Sequence, residues 1–280
     1  METVKARNSI TMVLIMLMSL FAAVEIATPA EGSEIVLTEA IQVVNGGNAN
    51  DRMVAMDADS MGNVHFIWSR NTHHLYYKML DARGDTLIDE TQISDPGTHR
   101  AWHPDLAVDS NDNVHVVWTD QTGQWSIMYT LLDPSQDDQD GSSALDNVLS
   151  IVSDKVIASE TQNRDWPAIA VDSQNNPHIV WEDAYEELEK FYQQPQIYYT
   201  MLDIDIPGRV AIDAIEDTLL TPIIGHKGHP DVAVDADDFV QVVWDDTRGG
   251  KVEMVVPIDT SGSMNTEWAD MCVVFYGGNF

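Results

Sequence analysis

Hydrophobic and polar positions follow the same order three times along the chain. His103–Asp120 (HPDLAVDSNDNVHVVWTD), Trp166–Asp183 (WPAIAVDSQNNPHIVWED) and His229–Asp246 (HPDVAVDADDFVQVVWDD) each pass from a short apolar stretch through a polar cluster into a β-branched stretch carrying tryptophan. The cluster Ser110-Asn111-Asp112-Asn113 is turn chemistry, because short Asx side chains bond their own backbone and tolerate left-handed φ. Each segment therefore predicts a β-hairpin. A looser copy, Val54–Arg70 (VAMDADSMGNVHFIWSR), puts Asp57 beside Asp109, Asp172 and Asp235 at the entrance of the turn, on a turn two residues longer. Trp68, Trp118, Trp181 and Trp244 fall 50, 63 and 63 residues apart.

The segments after each hairpin also repeat. Leu75–Leu80, Ile127–Leu132 and Ile197–Leu202 predict a third strand, each ended by an aspartate (Asp81, Asp133, Asp203). Asp89–Ser94, Lys155–Ser159 and Leu219–Ile224 predict a fourth. Four strands per repeat, at a period of about 40–60 residues, is the signature of a β-propeller blade. A helical period of 3.6 is absent. The fold class is all-β: an incomplete propeller of four-stranded blades over residues 35–251, since three complete repeats and the start of a fourth are present. Ile35–Val44 is a lone strand candidate that would complete the last blade. Pro134–Ser150, acidic and Ser/Gly-rich, is a solvated loop. Ala184–Gln196 has the Glu/Leu content for one or two helical turns.

Composition narrows the partners. The chain carries 46 acidic against 14 basic residues, a net charge of −32. Such a field repels nucleic acid and anionic membrane surfaces. Cys272 is the only cysteine, so no disulfide within the chain can be proposed. Residues 1–30 have the layout of an export signal: Lys5 and Arg7, an apolar run from Ile10 to Val24, then the small residues around Thr28-Pro29-Ala30. The expected location is secreted or at the cell surface, with membrane contact only if that segment is uncleaved.

His65, His115 and His178, with Gln241 in the same place, stand three residues before each tryptophan, and their recurrence points to a structural hydrogen bond rather than a metal ligand. Arg52, Arg100, Arg164 and Lys227 lie ahead of the hairpins, where they lead into the innermost strand and the axial mouth. Three arginines converging there would hold a carboxylate bidentately. The repeats between Asp51 and Lys251 resemble those of sialidase-type extracellular propellers, although the turns lack the Ser-x-Asp-x-Gly-x-x-Trp order of the sialidase Asp-box. A glycosidase also needs a pair of carboxyl groups flanking the bond, and no spacing in the sequence singles them out.

The sharpest local motif is Val252–Met264 (VEMVVPIDTSGSM). It resembles the metal-ion-dependent adhesion site of von Willebrand factor A domains, Asp-x-Ser-x-Ser after a first strand. That resemblance implies that residues 252–280 are the N-terminal fragment of an α/β domain, its first strand and the start of a helix, with the family's later threonine and aspartate ligands expected beyond Phe280. It also implies a Mg²⁺ site on Asp259, Ser261 and Ser263, which would leave a coordination position for a carboxylate on a protein or glycan partner. The competing reading is an ordinary turn, because Ile258-Asp259 falls where the Leu-Asp ends of the earlier third strands fall. Taken together, the expectation is a non-enzymatic surface binding or adhesion protein with a metal-dependent site. The alternatives are a secreted, glycan-active propeller hydrolase of sialidase type and a purely structural module.

Overall fold

The computed structural model describes residues 40–45, 47, 49–94, 100–122, 125–135, 149–158, 163–185, 194–205, 210–221, 227–246, 251–259 and 273–274. The chain divides into Met1–Gln42 and Val43–Phe280. Of the first unit only Ala40–Gln42 is described, and the architecture is that of the second. Ala40–Val44 forms no strand, and the remainder of the Ile35–Val44 candidate lies outside the described residues.

Four antiparallel sheets of four strands each succeed one another in chain order, and no helix occurs among the described residues. The first is Asp51–Ala58 (β1), Val64–Arg70 (β2), His74–Leu80 (β3) and Thr86–Gln92 (β4). The second is Ala101–Val108 (β5), Val114–Asp120 (β6), Ser126–Asp133 (β7) and Leu149–Ala158 (β8). The third is Asn163–Val171 (β9), Pro177–Tyr185 (β10), Gln194–Asp205 (β11) and Val210–Leu219 (β12). The fourth is Lys227–Val234 (β13), Phe239–Asp246 (β14), Lys251–Asp259 (β15) and Val273–Val274 (β16). Each sheet pairs its strands in sequence order, and the first strand of each packs on the first strand of the next, β1 on β5, β5 on β9 and β9 on β13. These are propeller blades with the leading strand innermost.

The core lies between blades. Ile67, Leu75 and Tyr77 meet Leu106, Val116 and Trp118. Val117, Ile127 and Tyr129 meet Ile169, Ile179 and Trp181. Val180, Ile197 and Tyr199 meet Val232, Val242 and Trp244. Covered on both sides, the second blade buries every residue of its second strand, β6. By contrast β1 alternates half-buried and exposed. Met56 is 64% exposed, whereas Leu106, Ile169 and Val232, at the equivalent places, are buried against the preceding blade.

The hairpin turns are of one kind in all four blades, which corrects the alignment of the first. Asp59, not Asp57, is the equivalent of Asp109, Asp172 and Asp235, and its turn is the same length. In each, the aspartate amide donates to the carbonyl four residues on: Asn63, Asn113, Asn176 and Phe239. One carboxylate oxygen accepts the amides two and four residues on, as with Asp109 Oδ1 from Asn111 (2.8 Å) and Asn113 (2.9 Å). Asp57 and Asp59 stand two apart in the sequence, and only strand register tells them apart: Asp57 pairs with His65 inside β1–β2.

Below the turn sits a buried relay. His65, His115 and His178 place Nε2 3.6, 3.3 and 3.4 Å from the turn carboxylate and Nδ1 2.7, 2.9 and 2.7 Å from the hydroxyls of Tyr77, Tyr129 and Tyr199. The Nδ1–tyrosine bond, common to all three, is the structural hydrogen bond that their recurrence implied. In the fourth blade Gln241 reaches Asp235 directly at 3.3 Å, and Met254 takes the tyrosine's register position. Turns are also clasped to one another: the hydroxyls of Ser60, Ser110 and Ser173 donate to Asp112, Asn175 and Asp238 of the next blade (2.9, 2.8 and 2.6 Å).

Two other expectations change. The fourth strand of the third blade is Val210–Leu219 rather than Leu219–Ile224. Its partner β11 runs past Asp203 to Asp205, so pairing starts at once on the return of the chain, Asp205↔Val210, and ends at Tyr198↔Leu219. The ends of the 184–196 segment extend the β10–β11 ladder (Ala184↔Pro195, Tyr185↔Gln194) and are not helical; residues 186–193 lie outside the described ones.

Burial, outweighing the attraction of Asp59 and Asp172, pushes the His65 and His178 imidazoles below their usual range. Neutral imidazole is thus the folded form, and its contribution is complete above about pH 6.5 and lost as pH falls through the unfolded value. Tm should drop as pH is lowered from about 6.5 to 5. In the double variant His65→Gln/His178→Gln, which copies Gln241, thermal denaturation should show a shallower drop over that window.

Candidate active site at the axial mouth

Every innermost strand carries a bulge near its start, seen as register breaks at Arg52/Ala55, Trp102/Asp105 and Gly228/Asp231 and, in the third blade, on the β10 side at Val180/Glu182. The bulged residues Met53, His103, Trp166 and His229 have φ of 55°, 45°, 50° and 47°. A non-glycine residue there costs on the order of 1–3 kcal/mol, and bulges beside functional sites re-aim side chains. Here they line up one side chain per blade. The His103 amide donates to Met53 Sδ (3.3 Å). His103 stacks on Trp166 with ring centroids 3.6 Å apart, and Trp166 meets His229 edge-on at 4.5 Å. Trp166 is 38% exposed and His229 is exposed, so the row faces solvent.

Carboxylates hold this row. Asp165 Oδ1 is 2.7 Å from His103 Nδ1 and also accepts the Thr119 hydroxyl (2.8 Å) and the Trp166 amide (2.9 Å). A carboxylate accepts only, so the proton on that ring edge belongs to Nδ1. His229 Nδ1 lies 2.8 Å from Asp245 Oδ2.

Two residues past His103, Asp105 points at the third blade, where its Oδ2 accepts the Ile169 amide (3.0 Å). Asp57, two register positions further along its strand, makes a bridge of the same kind from the first blade to the Val108 amide (2.9 Å). Asp105 is half-buried, and desolvation lifts its carboxyl to about 6; the Ile169 and Leu106 amides oppose the rise, and the charges of Asp231 and Asp57 add to it. Asp105 thus lies within electrostatic reach of two other innermost-strand carboxylates. A carboxyl of this kind is protonated over part of the near-neutral range and can donate a proton to a leaving oxygen. Nothing in one dimension marks it, because Asp105 sits in an apolar stretch among many aspartates and its environment is built by the neighbouring blades.

The sequence-predicted arginines do not converge. Arg164 is buried, with Nε 2.8 Å from Asp183 Oδ2, and Lys227 makes the same pair with Asp246 at 2.7 Å. In the first blade the charges are exchanged: Arg70, on β2, binds Asp51 (2.7 Å) and Glu90 (2.6 Å). Arg52 hydrogen-bonds Asn50 (2.8 Å), and Arg100 precedes β5, its amide donating to the Thr122 hydroxyl (3.1 Å). Register puts Arg52 level with Trp102 and Arg164 level with Ala101. The three are therefore at different heights, and one is already neutralised. As for the late motif, Asp259 ends β15, the third strand of the fourth blade, opposite Phe239. That is the place of Asp81, whose Oδ1 caps its turn through the Arg83 and Asp85 amides. Ser261 and Ser263 lie outside the described residues.

No protein-family model matches the chain, and no curated protein matches it. Among solved structures it is similar to a Hadza microbial sialidase (TM-score 0.51, 10% identity), over 75% of this chain and 44% of that one. It is also similar to the GH93 α-L-arabinofuranosidase of Fusarium graminearum solved with arabinobiose (TM-score 0.50, 11% identity), over 75% of this chain and 63% of that one. A thermostable family-43 glycoside hydrolase gives a TM-score of 0.48 at 12% identity, over 75% of this chain and 70% of that one. The chain thus spans about half to two thirds of the sialidase and arabinofuranosidase structures. The sialidase and arabinofuranosidase likenesses establish the propeller fold. They also overturn the expectation of a non-enzymatic adhesion protein, since these neighbours are carbohydrate-active enzymes.

Removing one partner of a buried pair strands the other charge, at a cost of about 3–5 kcal/mol. Arg164→Ala should therefore lower stability by that order in urea denaturation, whereas Arg100→Ala, at an exposed position, should change it by less than about 0.5 kcal/mol. Asp105→Asn should act the other way. Its raised carboxyl costs stability as pH climbs from about 3.8 through 6, so the variant should melt higher than wild type at about pH 7 and level with it near pH 4.

Proposed function

We propose that this chain is the glycan-handling propeller of a carbohydrate-active enzyme, acting by hydrolysis at the axial mouth. The observation that carries the reading is the juxtaposition of an aromatic row open to solvent, His103–Trp166–His229, with the desolvated, electrostatically raised carboxyl of Asp105 two residues from its first member. A sugar ring presents an apolar C–H face that lies flat on an aromatic ring, while its hydroxyls need polar partners at the rim. Asp105 acts as proton donor to the leaving oxygen, and Asp231 is the second carboxylate that glycoside hydrolysis requires. Asp231 has one oxygen on the Val232 amide (2.9 Å) and is exposed. The glycosidases among the structural neighbours support this reading through the shared fold. Export directed by residues 1–30 belongs to it, because a polymeric glycan is met outside the cell.

A separate proposal concerns Mg²⁺ on Asp259, Ser261 and Ser263. It is supported by the Asp-x-Ser-x-Ser spacing alone, a first-strand motif of the von Willebrand factor A type, and does not enter the hydrolytic scheme. A carboxylate on the bound partner would complete such a site.

Two measurements test these proposals. Reducing-sugar release from a panel of plant and algal polysaccharides should fall by about 10²-fold or more in Asp105→Asn, the scale of a lost general acid, without loss of the folded state. If Asp105→Asn retains wild-type turnover, Asp105 is only an inter-blade bridge. Calorimetry should show Mg²⁺ binding that Asp259→Ala abolishes; equal binding by both proteins would leave Asp259 as a turn cap.

A further inference from the structure

The charges around the mouth say which glycans it admits. Asp165, Asp231, Glu182 and Asp245 lie directly against the bulge row or two residues past it. Glu182 contributes through Oε2, which accepts the His229 amide at 3.4 Å. Two of the four cations near the start of the innermost strands are consumed, Arg164 and Lys227 being buried in pairs with Asp183 and Asp246, while Arg100 is exposed ahead of β5. Arg52 stands alone at its level, with Trp102, Asp165 and Gly228 in the other blades. A carboxylate-bearing sugar would therefore meet several like charges and no converging guanidinium fork. Resting on the glycan reading above, we propose that the mouth takes uncharged polysaccharide and excludes sialosides and polyuronates.

The size of the discrimination follows from simple electrostatics. One unit charge held about 4 Å from another in water changes an equilibrium about fivefold, and more in a partly desolvated groove. The indole face of Trp166 is indifferent to charge, so around it the carboxylates set the preference. Because the repulsion is between partly exposed groups, salt screens it.

Binding of the full-length chain to neutral arabinan, neutral β-glucan, polygalacturonate and sialyllactose, measured by calorimetry at low and high salt, tests this. At least one neutral glycan should bind, more tightly than either acidic one by about fivefold or more at low salt, with the gap narrowing as salt is raised. Trp166→Ala should weaken neutral binding, Trp166→Phe, which keeps a stacking face, should retain most of it, and Asp231→Asn should narrow the gap. Acidic glycans that bind as well as neutral ones, or whose binding weakens with salt as at a cationic subsite, would overturn the inference while leaving the glycan reading intact. If no glycan of either kind binds, the glycan reading falls and this inference with it.

Discussion

A four-stranded sheet has two faces and cannot cover either by itself. Everything else in this molecule depends on how neighbouring sheets solve that for one another. The inner strand of one blade lies on the inner strand of the next, and the tryptophan of the second strand is pressed into the preceding blade, as Trp118, Trp181 and Trp244 are. Fully burying an apolar side chain is worth about 1.5–3 kcal/mol, and every interface between blades holds a whole cluster of them. Stacking also fixes the distance between inner strands, and that distance lets Asp57 and Asp105 reach the amides of the next blade.

The same stacking creates the chemistry. An aspartate on an isolated hairpin is an ordinary surface acid. Between two blades the ionised form of Asp105 is disfavoured, by desolvation first and by its neighbours' charges second. The bulge residues act similarly: four left-handed non-glycine positions are held against their local preference because the ladders on either side resume in register. Stability is surrendered at the mouth and recovered at the inter-blade core, the usual relation between a reactive site and its scaffold.

Charge is distributed by the same logic. The chain is short of cations, and the structure commits three of them to buried or half-buried pairs at the strand ends, Arg164–Asp183, Lys227–Asp246 and the exchanged Asp51–Arg70. Exchange of the two signs in the first blade shows that the pair can be built either way round, while in the second blade Ala101 stands opposite Asp120 at that position. A mouth left with carboxylates follows directly from that allocation.

The sequence by itself determined the blade. Alternating apolar positions, Asx-rich turns and the spaced tryptophans specify strands and hairpins locally, because side-chain direction and turn conformation are short-range properties. The histidine at three residues before each tryptophan was legible as structural for the same reason: it recurs with the repeat. Only the tertiary structure decided which aspartate caps the first turn, since Asp57 and Asp59 differ by strand register alone. It also decided that Arg52, Arg100 and Arg164 stay apart, because one residue of offset along a strand changes both height and face. The row His103–Trp166–His229 and the raised carboxyl of Asp105 were invisible in one dimension. Their members lie on different blades, and the proximity that gives them chemistry exists only once the sheets have stacked.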